Sequence, residues 1–193
     1  GLSSPRAIRR DGTMWAGGLN PSGQLGDKTF LNRSTPVQIS SDKDWLEVVA
    51  GDTHSVALKT ARTLWTWGSN AYGQLGLGDT TVRNAPTQVK TPSSAIWSQI
   101  TAAADHTLAL QTNGSLWAWG RNDSSQLGSS EAEQLLLAPK RIDLDGEPTA
   151  WIAVSTGTDH TLAVRADFAL FSWGLSTNGR LGRPVAVLGE REL

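Results

Sequence analysis

Short stretches in which large and small apolar side chains alternate recur along the chain, with the period of two that is typical of a β-strand. These stretches are residues 55–58 (SVAL), 107–110 (TLAL) and 161–164 (TLAV). In each, an alanine between two larger aliphatic residues leaves one face of the strand open to close approach by a neighbouring layer. No segment shows helical periodicity, although residues 131–137 are compatible with one short helical turn. The pattern predicts an all-β protein built from short strands.

A tight turn is predicted between each of these stretches and the aromatic segment that follows it. Asp-Gly at 11–12 and Asn-Gly at 113–114 favour a two-residue hairpin turn, because glycine adopts the positive φ angles that such turns require. The equivalent positions at 61–62 (Ala-Arg) and 167–168 (Asp-Phe) lack glycine, so we expect a different turn there.

The aromatic segment itself occurs four times. Its copies are residues 14–26 (MWAGGLNPSGQLG), 64–76 (LWTWGSNAYGQLG), 116–128 (LWAWGRNDSSQLG) and 170–182 (LFSWGLSTNGRLG). The first aromatic residues of successive copies are 50, 52 and 54 positions apart. A loop built for one ligand occurs once, and this segment also lacks the Lys-Ser/Thr of a phosphate-binding P-loop. We therefore interpret the segment as a packing element of a repeat protein.

Other features keep the same period, including a proline followed three residues later by Ile or Val, a lone tryptophan and a histidine. All nine tryptophans and all three histidines occupy repeat-equivalent positions. The residues to which we assign a structural role in the repeat are Trp65, Trp67, Trp117, Trp119, Trp173, His54, His106, His160, Gly68, Gly120 and Gly174. Repeated antiparallel sheets of about 50 residues, covered on both faces, indicate a β-propeller.

The amino-acid composition excludes several classes of function. The formal net charge is -1, which gives no general attraction to nucleic acid or an anionic membrane, and no apolar run is long enough to span a bilayer. Cysteine is absent, which excludes disulfides, thiolate metal sites and a cysteine nucleophile. Histidines one blade apart trace an arc, so we expect them to tie blades together by hydrogen bonds. We predict no catalytic residues, no metal and no cofactor.

The order of these motifs resembles the regulator of chromosome condensation repeat. The resemblance rests on W-x-W-G-x-N-x-x-G-Q-L-G at 65–76, P-x-x-V at 86–89 and G-x-x-H-S-x-A-L at 51–58, and it covers nearly all of residues 11–182. It implies a propeller, typically of seven blades, and residues 32–39 (NRSTPVQI) look more like bacterial members. Departures are Gly17 in place of the second tryptophan, Ser125 in place of a loop glycine and Arg180 in place of glutamine.

We divide the single propeller arc, residues 1–193, into a closing strand at 1–10, repeats at 11–60, 61–112 and 113–166, and a partial repeat at 167–193. The prediction is about three complete four-stranded blades and a partial blade formed from both termini. Such an arc exposes apolar end faces. The chain is therefore expected to be part of a larger propeller, to pair with a copy of itself, or to close as a small ring, the first two being favoured.

Residues that do not repeat mark a candidate binding surface. Residues 135–137 are three leucines where equivalent segments are mostly polar; one is expected to pack and the others to be exposed. The predicted partner-binding residues are Leu135, Leu136, Leu137, Phe30, Arg33 and Arg83. We predict a non-catalytic protein–protein interaction scaffold that is not an enzyme. The alternatives are a lectin-like propeller with exposed tryptophans, or an exchange factor for a small GTPase, although the regular spacing leaves no room for an inserted β-wedge.

Overall fold

The computed structural model describes residues 4–92, 94–129, 134–143 and 150–182. Within these ranges the chain forms antiparallel strands in four sheets, so the predicted all-β fold is confirmed. Sheet 1 contains β1 (Arg6–Ile8), β2 (Met14–Gly18) and β3 (Arg33–Gln38); sheet 2 contains β4 (Trp45–Ala50), β5 (His54–Lys59), β6 (Leu64–Gly68) and β7 (Arg83–Gln88); sheet 3 contains β8 (Trp97–Ala102), β9 (His106–Gln111), β10 (Leu116–Arg121) and β11 (Leu135–Ile142); sheet 4 contains β12 (Trp151–Thr156), β13 (His160–Arg165) and β14 (Leu170–Gly174). A 3-10 turn at Thr177–Gly179 follows.

The strand count per sheet differs from the prediction of three complete blades and one blade shared by the termini. Two four-stranded sheets are flanked by two three-stranded sheets. Strand β1 pairs with β2 in sheet 1, whereas the last described strand, β14, pairs with β13 in sheet 4. The described ends therefore lie in different sheets, and residues 1–3 and 183–193 are outside the described ranges.

The sheets are out of phase with the sequence repeats. Sheet 2 takes β4 and β5 from residues 11–60 and β6 and β7 from residues 61–112. Sheet 3 divides in the same way between the second and third repeats. Each repeat thus completes one sheet and begins the next, which links neighbouring sheets through the chain itself.

The turns that precede β2, β6, β10 and β14 all share one geometry. The sequence had predicted a different turn at the two positions that lack glycine. The loop of sheet 2 is closed by a hydrogen bond from Lys59 N to Thr63 O, and Arg62 N donates to Lys59 O. Three residues lie inside this loop. The turns at 11–12 and 113–114, which were predicted to have two residues, also have three, because Arg9 N donates to Thr13 O and Gln111 N donates to Ser115 O. Arg62 has φ 61° and Phe168 has φ 68°, close to the 80° of Gly12. The positions without glycine therefore adopt the same turn, with a strained backbone.

The predicted helical turn at residues 131–137 is not present where the structure describes this segment. Strand β11 begins at Leu135 and pairs with β10, so Leu135 to Leu137 are extended. Residues 131–133 lie outside the described ranges. In the part of the chain that the structure describes, no helix has the length and hydrophobicity needed to cross a bilayer.

Each sheet presents two faces to different neighbours. In sheet 2, the face that we call leading carries Ser55, Ala57, Trp65 and Trp67, because these residues pair across β5 and β6. Ser55 Oγ and Trp67 Nε1 both donate to the Gln24 carbonyl, which belongs to the loop of sheet 1. The opposite, trailing face carries His54, Val56, Leu58, Leu64 and Thr66, all buried. The leading face meets the preceding sheet and the trailing face meets the following sheet.

The first strands of sheets 2, 3 and 4 lie side by side, as strands around a common axis do. Strand β8 contacts both β4 and β12. Between β8 and β12, Gln99 Nε2 donates to Val154 O at 3.3 Å and Val154 N donates to Gln99 Oε1 at 3.2 Å. Each junction is filled by a buried apolar cluster that contains tryptophan, Trp45 and Trp67 in one case and Trp97 and Trp119 in the next. The stacked sheets form a propeller arc.

Candidate functional site

The Q-L-G segments form loops that fix their own conformation. In the loop of sheet 2, Leu75 N donates to Asn70 Oδ1 at 3.0 Å and Tyr72 N donates to Gln74 Oε1 at 2.9 Å. Equivalent bonds hold the loops of sheets 1 and 3. Ser125, which replaces a loop glycine, adopts φ 59° and keeps this geometry. The asparagine and glutamine side chains therefore order the loop without a ligand.

The same loops hold neighbouring sheets together. The Gln74 carbonyl accepts hydrogen bonds from Trp119 Nε1 and Thr107 Oγ1, both at 2.9 Å and both in sheet 3. The Gln126 carbonyl accepts equivalent bonds from Trp173 Nε1 and Thr161 Oγ1 in sheet 4. The second tryptophan of the aromatic segment therefore donates its indole N–H to the loop of the preceding sheet. In the described junctions this hydrogen bond joins one sheet to the next.

Three glycines lie where a strand approaches the preceding strand too closely for any side chain. A Cβ atom at Gly68, Gly120 or Gly174 would lie 2.5 Å from a backbone carbonyl oxygen. Their φ angles are 106°, 102° and 108°, a region that residues with a Cβ rarely adopt. Glycine is thus required by the register of the strands.

The histidines are dispersed among the sheets. His54 Nε2 lies 2.9 Å from Thr107 Oγ1, which joins the trailing face of sheet 2 to sheet 3. Burial lowers the pKa of His54 to about 3 and that of His106 to about 4, so both side chains are neutral at pH 7. Among the residues that the structure describes, no group of three His, Cys, Asp or Glu side chains could hold a metal ion.

Of the three leucines predicted to mark a binding surface, one is exposed. Leu136 is 5% exposed, and Leu137 lies against Gly73, where an added Cβ would be 2.6 Å from Leu137 Cδ2. Leu135 is 42% exposed and pairs with Arg121 across β10 and β11. The expectation that two of the leucines are exposed is therefore wrong: Leu136 is buried and Leu137 is half-buried, because the loop of sheet 2 rests on the start of β11.

The other predicted partner-binding residues lie on the same end of the sheets. Phe30 is 49% exposed, in the connection between β2 and β3. Arg33 is paired with Asp27 at 2.6 Å, and Arg83 is paired with Asp79 at 2.7 Å. Both guanidinium groups thus brace the connection that carries them. We call this end of the sheets, formed by the Q-L-G loops and the connections to the fourth strands, the loop face.

Sequence reasoning missed two residues of the loop face, Tyr72 and Arg121. Tyr72 is 38% exposed, and the guanidinium of Arg121 lies 5.3 Å from its ring centre. Serine occupies the position of Tyr72 in the first and third loops, at Ser22 and Ser124. The sequence signal was available, because Tyr72 is the chain's single tyrosine and stands where other repeats have a small polar residue. We call Tyr72, Arg121 and Leu135 the Tyr72 patch.

Two carboxylates face the single guanidinium of the Tyr72 patch. Arg121 pairs with Asp123 and lies 3.7 Å from Asp105. Burial raises the pKa of Asp105, and the neighbouring Arg121 lowers it again in part. The carboxylates of Asp52 and Asp159 add to the upward shift of that pKa. The guanidinium is therefore positioned over the tyrosine ring by carboxylates on its own sheet.

Comparison with known proteins places these features in a family. The model of the regulator of chromosome condensation (RCC1) repeat matches residues 11–58, 63–110 and 113–164. The ultraviolet-B receptor UVR8 of Arabidopsis thaliana is 31% identical over 185 residues, which cover 94% of this chain and 41% of that protein. The human regulator of chromosome condensation is 29% identical over 177 residues, which cover 90% of this chain and 41% of that protein.

Solved structures show the same fold. The crystal structure of Prp20p from Saccharomyces cerevisiae superposes with a TM-score of 0.79 at 22% identity, covering 93% of this chain and 45% of that one. The chain thus spans less than half the length of each of these three proteins. A bacterial origin stays a prediction. The repeat match covers most of the chain, and the protein belongs to the RCC1 repeat family.

Proposed function

We propose that this chain is a non-catalytic protein-interaction scaffold that binds a protein partner through the Tyr72 patch on its loop face. One observation carries the proposal. Tyr72 and Arg121 occupy positions at which the other repeats have no tyrosine or arginine, and they lie beside the exposed apolar Leu135 at the junction of sheets 2 and 3. Residues that only maintain the propeller recur in every sheet, whereas a partner needs one particular surface.

The chemistry of the patch suits a protein interface. Tyrosine and arginine are enriched among the residues that dominate binding energy, and an adjacent apolar side chain helps to exclude water. Arg121 is already held by Asp123 and Asp105, so less side-chain entropy is lost on binding. The patch is also carried by loops with internal hydrogen bonds, which limits the cost of ordering the backbone.

A lectin-like function receives no support from the tryptophans. All nine lie in described ranges, and each is buried or half-buried. Five of them have less than 5% of their surface exposed. Stacking on a sugar ring needs an open aromatic face, which the five buried indoles do not offer.

Site-specific photo-crosslinking tests the proposal. A benzophenone amino acid replaces Tyr72 in one variant of the full chain and Ile96, which is 48% exposed and precedes β8, in a control variant. In extract of the source organism we expect one defined protein to crosslink at position 72 and not at 96. Adding Leu135→Ser to the first variant should reduce that crosslink at least about tenfold, because a contact worth about 2 kcal/mol is lost.

Two outcomes would count against the Tyr72 patch. Equal crosslinking at positions 72 and 96 would indicate non-specific contact, and an unchanged product with Leu135→Ser would place the interface elsewhere. Should the captured protein be a small GTPase, accelerated nucleotide release by the unmodified chain would favour the exchange-factor alternative. Absence of such acceleration would leave the scaffold function in place.

A further inference from the structure

The chain contains two Asn-Gly dipeptides, and the asparagine of each is exposed. Asn113–Gly114 lies in the turn before β10, and Asn178–Gly179 lies in the loop that follows β14. Glycine has no Cβ, so its backbone nitrogen can approach the side-chain carbonyl carbon of the asparagine before it. Attack by that nitrogen expels the side-chain amide as ammonia. This reaction, deamidation, converts a neutral side chain into a carboxylate.

The turn at Asn113 holds both reacting groups. Asn113 Oδ1 accepts hydrogen bonds from Ser115 N at 3.0 Å and from Ser115 Oγ at 2.7 Å. Gly114 N, the atom that would attack, donates to the Gln111 carbonyl at 3.0 Å. The reaction would break these bonds, so the folded turn protects Asn113.

The loop of sheet 4 lacks the two side-chain hydrogen bonds that order the other Q-L-G loops. In sheet 2 these bonds join Leu75 N to Asn70 Oδ1 and Tyr72 N to Gln74 Oε1, and we call them the loop clamps. Ser176 and Arg180 occupy the positions of the asparagine and the glutamine in sheet 4. Ser176 forms no side-chain capping bond, and an arginine side chain has no acceptor atom. The loop of sheet 4 is therefore held less firmly.

Asn178 lies at the position in this loop that the missing glutamine clamp would hold. It is the equivalent of Tyr72, and in the part of the chain that the structure describes no hydrogen bond holds its side chain. The backbone around it is one short 3-10 turn, Thr177–Gly179, a type of turn with poor hydrogen-bond geometry. Attack on Asn178 requires rotation about its Cα–C bond, which this loop opposes less than a clamped loop does.

We infer that Asn178 is a site of spontaneous deamidation in the folded protein and that Asn113 is not. Gly179 N bonds to Cγ of Asn178, the Cγ–Nδ2 bond breaks, and ammonia leaves with the proton of Gly179 N. Water then opens the cyclic imide at either carbonyl carbon, which gives aspartate or isoaspartate. One negative charge is added to the net charge of -1, near Arg180, which lies 3.7 Å from Asp159. The site is separate from the Tyr72 patch and does not depend on the proposed function.

Peptide mapping by mass spectrometry measures both rates in one sample. The purified chain is kept at pH 8 and 37 °C, folded in buffer or unfolded in urea. In the folded chain we expect deamidation to be at least about tenfold faster at Asn178 than at Asn113, because the turn at Asn113 must open first. In urea the two rates should agree within about threefold, because neither turn persists.

A double substitution tests whether the missing clamps cause the difference. Ser176→Asn with Arg180→Gln restores both clamps, and it should slow deamidation of the folded chain at Asn178 at least about fivefold. The rate at Asn113 and both rates in urea should stay unchanged, which makes Asn113 the internal control. A melting temperature equal to or above that of the unmodified chain would show that the variant folds.

Three results would overturn the inference. Equal rates at the two sites in the folded chain would show that the turn at Asn113 gives no protection. A clamp variant that reacts at Asn178 as fast as the unmodified chain would show that the clamps are irrelevant. A folded chain that keeps the Asn178 amide while the unfolded chain loses it would show that the loop of sheet 4 is as closed as the other loops.

Discussion

Acidification should destabilise this protein through its buried histidines. His54 and His106 are both fully buried. Desolvation lowers the pKa of His54 to about 3 and that of His106 to about 4, against about 6.5 in the unfolded chain. The folded state thus binds fewer protons than the unfolded state. The stabilisation is complete above pH 6.5 and is lost as the pH falls toward the folded pKa values.

The size of this loss of stability follows from the difference between the pKa of each histidine in the unfolded state and its pKa in the folded state. Between pH 7.5 and pH 5, each histidine costs about 2 kcal/mol of stability, and the two together cost about 4 kcal/mol. A domain of this size has a total stability of about 5 to 15 kcal/mol. The raised pKa values of Glu47 and Asp105 act in the opposite direction, and they offset part of this loss close to pH 5.

Urea unfolding followed by tryptophan fluorescence at pH 7.5, 6.5, 5.5 and 5.0 measures this effect. We expect the free energy of unfolding to fall with a slope that approaches two protons per molecule below pH 6. His54→Gln keeps a polar side chain at the junction and should reduce the slope to about one. A free energy of unfolding that is equal at pH 7.5 and pH 5.0 would show that these histidines are not held neutral.

Four further substitutions can be tested by urea unfolding. Glu47→Gln should stabilise the protein by less than about 1 kcal/mol at pH 7, because burial raises the pKa of Glu47. It should have no effect at pH 3, where the carboxyl group is protonated. Destabilisation at pH 7 would contradict this reasoning. Trp119→Phe removes the indole N–H that joins sheets 2 and 3 and should cost about 2 kcal/mol; a neutral effect would mean that the bond contributes little. Gly120→Ala places a Cβ 2.5 Å from the Asp105 carbonyl oxygen and should cost about 3 kcal/mol. Gly78→Ala, which has positive φ but open space, should cost about 1 kcal/mol, and equal costs would refute the steric argument.

Local patterns in the sequence determined the architecture. Alternation at 55–58 and its equivalents gives strands, and a period of 50 to 54 residues gives sheets that stack on each other. The pairing of Trp65 with Ala57 and of Trp67 with Ser55 confirms that the two indoles share a face. These features were predictable because side-chain direction in a strand depends only on residue parity, and a repeated segment must be buried in the same way each time.

The phase of the sheets and the identity of the exposed residues were decided by the tertiary structure. The repeat period is the same whether a sheet ends at the boundary of a sequence repeat or inside it. The sequence therefore could not show that β4 and β6, which lie in different repeats, belong to one sheet. Leu135 and Leu136 are chemically alike, and only the pairing of β11 with β10 and the loop resting on it expose the first and bury the second.

The Tyr72 patch was also decided by the tertiary structure. Tyr72 and Arg121 are 49 residues apart and belong to different repeats. They meet because the loop of sheet 2 crosses to sheet 3, where the Gln74 carbonyl is held by Trp119 and Thr107. The direction of each side chain in a strand and the spacing of the strands depend on residues that are close in the chain, so both can be read from the sequence. Contacts between sheets depend on how loops of one repeat pack on strands of another, which the folded chain alone determines.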